Sequence, residues 1–266
     1  MSRLKDPVKV FFVILFAIVL AWGVYLQFLP STRTVLNYDY NIANAVIYFF
    51  GALVGLYYAQ SYCLPPKLKK GILFICGGQF AWTIASFIWS YYNIVLRVEL
   101  PSPSIADFFF LAFIVCVSIG ALYLLSYANA RITHENARDT MTIILITYIA
   151  TFLFIAPPNL SSQTNTIQMI FNFLNPVGDA FLFAIALIGV RIGKDILSIP
   201  MRYLMMGLFI QSVGDFVYGY RVVHGIYWNG DISDIIYTCS GFLISAAIIS
   251  LSQRSLSKSK GEYCER

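Results

Sequence analysis

Residues 105–127 form an apolar run whose single charge is Asp107. A helix of that length crosses a bilayer core of about 30 Å, and nothing so apolar belongs on the surface of a soluble domain. The run is opened by Pro101-Ser102-Pro103-Ser104-Ile105-Ala106-Asp107. The prolines end whatever precedes them, because proline lacks an N–H and biases the residue before it away from helix. Ser104 is placed to cap a new helix. Asp107 then falls in the first turn, where the positive end of the helix dipole favours a carboxylate.

Other apolar runs fit spans at about 10–28, 42–62, 71–96, 140–156, 171 or 176–192, 201–223 and 232–252. With 105–127 they make eight. Only 12% of the residues are charged, against about 25% in a soluble domain. No stretch is polar enough for a second, soluble domain. The fold class is therefore all-α, a polytopic integral membrane protein of eight helices. Residues 1–252 make one transmembrane domain, and 253–266 a hydrophilic cytoplasmic tail. The first run has no A-x-A-like site after it and reads as an uncleaved anchor. Gly51 and Gly55 signal close packing of neighbouring helices.

Lys and Arg bias loops toward the cytoplasm. Of the 18 basic residues, all but Arg33, Arg97 and Arg221 fall on the side of the two termini. Both termini are thus expected inside, in a cell membrane. Of the 13 acidic residues, Asp39, Glu99, Asp107, Asp179, Asp215, Asp231 and Asp234 fall outside.

An aliphatic residue, a small residue and Asp or Asn recur at 42–44, 105–107, 177–179 and 232–234. In this topology all four copies open an even-numbered helix at one depth. Residues 86–91 also match 215–220. The simplest account is four helical hairpins of one design, as in membrane proteins built from parallel repeats.

The segment Pro103-Ser104-Ile105-Ala106-Asp107-Phe108-Phe109-Phe110-Leu111, with its weaker copy at 175–182, resembles a multi-helix sensory module. That module lies N-terminal to some bacterial diguanylate cyclases (GGDEF proteins) and sensor kinases. The resemblance implies a membrane sensor. No output domain follows the eighth run, so it also implies a free-standing module that signals through a partner or acts alone. Gly178-Asp179-x-x-Leu182 is similar to the eight-helix lysoplasmalogenase family, which implies an intramembrane hydrolase using two aspartates.

Chemistry elsewhere is sparse. There is no H-E-x-x-H, no G-x-S-x-G and no P-loop spacing, and the two histidines are placed on opposite sides. No cofactor or metal is expected, and the basic loops need no nucleic acid to explain them. Cys76 and Cys116 lie in apolar runs and read as small fillers. Asn159-Leu160-Ser161 has the spacing of a glycosylation acceptor, with no function attached.

Asp215 is the most deeply placed charge. An aspartate at the centre of a bilayer costs about 2.5–3.5 kcal/mol, so it must face the bundle and find partners. The candidate ligand site is an outward-facing vestibule of Asp107, Asp179, Asp215 and Asp234 with Arg97, Arg221, Tyr218 and Trp89. The structural partner of Asp215 would be a Tyr or Gln, and Arg221 and Arg97 are the outer cations able to pair with the ring of aspartates. The function expected is a sensor or binding module for a small molecule or lipid, rather than an enzyme. A small transporter and an intramembrane hydrolase are the alternatives. Expected partners are the lipid bilayer, that ligand and a signalling protein.

Overall fold

The computed structural model describes residues 7–32, 34–61, 64–101, 103–129, 134–155, 166–196 and 198–259. Among them there is no strand. The helices are α1 (Pro7–Leu26), α2 (Val35–Ser61), α3 (Pro66–Ser90), α4 (Ile105–Tyr127), α5 (His134–Ile155), α6 (Thr166–Ile196), α7 (Ile199–Val223) and α8 (Ile232–Ser259). A π-helical turn, Tyr91–Leu96, extends α3. Six stretches, in α1, α2, α3 with its extension, α4, α6 and α8, are long and apolar enough to cross a membrane.

Local chemistry explains several boundaries that the apolar runs miss. The stretch 35–39, expected as loop, is the start of α2. Asn37 at the third helical position accepts from the Thr34 N–H (3.0 Å) and hydroxyl (2.5 Å), which starts the helix early. Helix α6 begins at Thr166 and carries Pro176 inside it, so neither Phe171 nor Pro176 is its start. The connection expected at 193–200 shrinks to a break between Ile196 and Ile199, with a proline in the first turn of α7. Helix α8 runs to Ser259, so the first part of 253–266 is helical. Cys63, Cys264 and the Asn159-Leu160-Ser161 sequence lie outside the described residues.

Two of the four repeated tripeptides do open helices: Asp107 and Asp234 stand in the first turns of α4 and α8. The other two do not. Asn44 and Asp179 lie well inside α2 and α6. The pattern therefore marks two different things, a cap and an interior polar position.

Packing links α2, α3, α4, α6, α7 and α8 in a closed ring, with α1 outside against α8 and α2, and α5 outside against α6 and α7. The ring is filled. Trp82 of α3 lies at its centre, with ring centroids 5.0 Å from Tyr48, 5.0 Å from Phe113 and 4.9 Å from Tyr237. Small residues bring the helices together, as interfaces in lipid require. A side chain on Gly71 would press on the Gly120 carbonyl (3.1 Å) and one on Gly120 on the Gly71 carbonyl (2.8 Å), so α3 and α4 meet backbone to backbone. Gly51 and Gly55 face Ser245 and Ile248 of α8.

Candidate functional site

The acidic residues grouped by sequence divide into two sets in space. The first set is structural. Asp107 accepts from the Ser104 N–H (2.6 Å) and hydroxyl (3.0 Å) at the start of α4. Asp231 caps α8: its Oδ1 accepts from the Ser233 N–H (2.7 Å), and its Oδ2 pairs with Arg221. Asp234 accepts from the Gly230 N–H (2.6 Å) and from the Tyr227 hydroxyl (3.3 Å). Burial first, then the charge of Asp234, push the Tyr227 phenol well above its ordinary range. Asn229, in the same turn, accepts from Trp89 Nε1 (2.8 Å) and Asn41 Nδ2 (2.6 Å). Gln27, just after α1, bonds the Gly230 carbonyl at 2.7 Å. The turn between α7 and α8 is thereby tied to α1, α2 and α3.

Arg221 is consequently not the partner of Asp215. The physical reason is local: a chain turning back at 224–231 brings Asp231 to Arg221, and the capping geometry leaves one oxygen of Asp231 free to receive it. Arg97 stands exposed on the loop after the π-helix, in a left-handed conformation (φ 57°), outside this group. Tyr218 packs on Tyr227 (4.8 Å between centroids) and Trp89 (6.2 Å). It lies within electrostatic reach of Asp107, Asp234, Asp231 and Asp215, so these residues do gather at one end of the bundle. The gathering is a packed cap rather than an open vestibule.

The second set is Asp179 of α6 and Asp215 of α7. These carboxyls interact directly with one another, and Tyr237 of α8 lies beside Asp215. Gln211 Nε2 approaches Asp215 Oδ1 at 3.4 Å. Gln211 is itself fully buried and accepts from the Tyr48 hydroxyl at 3.1 Å. Asp179 Oδ1 and Asp215 Oδ2 are buried oxygens without a hydrogen-bond partner. Buried polar atoms are nearly always paired; Asn37, Asn44, Gln79, Trp82 and Ser118 each leave one buried atom unpaired as well, but among the described residues only these two belong to carboxyl groups.

A cavity of about 270 Å³ opens beside them between α5, α6 and α7. Its wall includes Asp179, Phe183, Ser212 and Phe216, with Ile146 and Thr151 from α5. Two of its hydroxyls are already used: Thr151 donates to the Thr147 carbonyl (2.9 Å) and Ser212 to the Leu208 carbonyl (3.1 Å). Ile146 and Phe216 are exposed, so the cavity reaches the outer surface of the bundle. It is an apolar slot with one acidic end. No described group of three His, Cys, Asp or Glu is arranged to hold a metal ion.

Tyr48, Gln211, Asp231 and Tyr237 complete these two sets and were absent from the expected site. One signal was legible for the pair. Val-Gly-Asp occurs at 177–179 and again at 213–215. In both copies the glycine packs on a ring neighbour, Ile114 of α4 for Gly178 and Tyr237 of α8 for Gly214. The next residue then turns its carboxyl toward the facing helix. No family model, curated protein or solved structure matches the chain.

Proposed function

We propose that this chain is an eight-span membrane binding module for a single-chain amphiphile, with both termini in the cytoplasm. The apolar part would occupy the slot between α5, α6 and α7. Its head, a cation or a hydrogen-bond donor, would meet Asp179 and Asp215. The observation that carries this reading is Asp179 at the end of an apolar cavity with Asp215 against it, each carboxyl with one buried, unpartnered oxygen. Two carboxyls facing each other in hydrocarbon call for a shared proton or a positive partner. About 270 Å³ is at the small end of ligand cavities, roughly 300–1,000 Å³, which favours one chain over the two of a phospholipid. The exposed rim at Ile146 and Phe216 supports entry from the acyl-chain region.

Eight spans are supported by packing: α7 lies in the ring between α6 and α8. A sensor role then requires a signalling partner, and the likeness to the sensory modules of cyclases and kinases belongs to this proposal. Single cysteines in a cysteine-free background test the orientation. V98C, on the exposed loop after α3, should react with an impermeant maleimide in whole cells. K70C, at the start of α3, should be protected. The reverse pattern removes the orientation.

The hydrolase reading gains from one observation: the two carboxyls converge, as a general acid and base must. Transport has less support, because Tyr48, Trp82, Phe113 and Tyr237 fill the middle of the ring and Gln79 is taken by Ser245 at 2.6 Å. The deciding measurement uses dodecylamine in nanodiscs. It should raise the melting temperature of the parent and leave the D179N/D215N double variant unchanged. Equal stabilisation of both proteins overturns the proposed site. Conversion of an added single-chain vinyl-ether lipid by the parent, lost in each single variant, would decide for hydrolysis.

A further inference from the structure

The hydrogen bonds around the acid pair are unequal, and the inequality originates outside it. Tyr48 of α2 is fully buried and has one hydroxyl proton. It faces two acceptors, the Tyr237 carbonyl at 2.9 Å and Gln211 Oε1 at 3.1 Å. Stacking on Trp82 (5.0 Å between centroids, 21° between planes) fixes its ring. With Oε1 turned toward Tyr48, the Gln211 amide presents Nε2 to Asp215. An amide nitrogen only donates, and a carboxylate only accepts. Asp215 therefore receives a donor on Oδ1, with the Tyr237 hydroxyl beside it. No donor is shown on Asp179 among the described residues: its carboxyl meets that of Asp215, with the Tyr237 phenol within electrostatic reach of both.

We propose that Gln211, oriented by Tyr48, is a positioning residue that makes Asp215 the accepting member of the pair and leaves the shared proton on Asp179. The two aspartates then differ in role although both follow the same Val-Gly dipeptide. Asp179, in the cavity wall, offers O–H, and Asp215 beside it offers a carboxylate. The groups facing the pair are Tyr48 on α2, Gln211 and Tyr218 on α7 and Tyr237 on α8; Asp107, Asp231 and Asp234 lie within reach of Tyr218. No cation among the described residues neutralises it. This inference uses the acid pair of the proposed site but no ligand, so it stands or falls independently of what binds there.

Infrared spectroscopy of the full chain in nanodiscs at neutral pH reads it directly. A protonated carboxyl gives a C=O stretch apart from the amide bands, and exchange into D2O shifts it. In a D234N background, which removes the buried acid of the cap that has no cation, the band should be present, persist on adding D215N and vanish on adding D179N. It should return in D179N/Q211L of that background, because loss of a donor to a charged group changes the proton distribution about ten-fold. Y48F keeps the aromatic packing and removes only the hydroxyl that holds the amide. D179N/Y48F should therefore regain part of the band. A band lost in D215N but kept in D179N overturns the assignment, as does a D234N protein without any such band. A blank spectrum from both double variants, each folded by melting, removes Gln211 and Tyr48 from the role.

Discussion

The cap between α7 and α8 and the acid pair between α6 and α7 hold the same residue type under opposite conditions. In the cap, every carboxylate has donors: Asp231 has Ser233 and Arg221, and Asp234 has Gly230 and Tyr227. In the pair, each carboxylate has a buried oxygen with none. A buried acid with all its partners is accounted for by stability. A buried acid without them costs free energy, and two such groups side by side mark a candidate functional site. Depth and charge, the features visible in sequence, do not separate the two sets. Hydrogen-bond completion does.

The comparison breaks most sharply at Asp231. The D231A change removes a helix cap and strands Arg221, whose side chain is only 24% exposed against 0% for Asp231. Breaking a buried pair by removing one partner costs roughly 3–5 kcal/mol, with the lower end expected here. The melting temperature of the purified protein should fall by many degrees. If it moves no more than for a surface change, the cap is not the structural region described.

Gly214 tests how tightly the pair is built. A methyl group there would stand 2.8 Å from Tyr237 Cε1, so G214A must displace Tyr237 from Asp215. Overpacking of this kind costs about 1–3 kcal/mol, and dodecylamine stabilisation should be lost with it. G225A is the control. Nothing lies within 4 Å of its added carbon, and any cost comes from its positive φ.

D215N should do the reverse of D231A. It removes a charge that has no cationic partner and keeps the shape, so melting should change by less than about 1 kcal/mol while ligand stabilisation disappears. R221Q should weaken the D215N protein as much as the parent, because Arg221 serves Asp231. A rescue of stability in D215N/R221Q would restore an Arg221–Asp215 pair and collapse the distinction between the two regions.

The smallest effect belongs to a third carboxylate, Asp139 at the start of α5. The Arg191 guanidinium, with Arg138 beside it, holds its carboxyl below the ordinary value of 3.8 against the opposing effect of desolvation. A lowered folded-state value means the contribution is present above 3.8 and is lost as the pH falls below it. The pair is exposed, so D139N should leave the melting temperature at neutral pH nearly unchanged. Melting curves of parent and variant, compared at neutral and strongly acid pH, measure this directly.

The helices and their membrane setting were decided by residues close in the chain. Apolar runs of bilayer length, the Ser104–Asp107 box and the Gly51–Gly55 spacing act over a few turns and are legible one segment at a time. Boundaries were missed where a polar cap such as Thr34–Asn37 lay outside the apolar run. The repeated tripeptide misled because one pattern serves both a helix start, at Asp107 and Asp234, and a helix interior, at Asn44 and Asp179. Only the tertiary structure decided what each acid meets. Arg221 lies six positions from Asp215, yet the turn at 224–231 delivers it to Asp231, while Asp179 arrives from another helix. Partner choice depends on which helices the glycine contacts bring together, and those contacts are long-range. The sequence by itself determined that Asp215 needs a partner. The ring of helices decided that the partner is a second carboxyl, and that property makes the site a candidate for function.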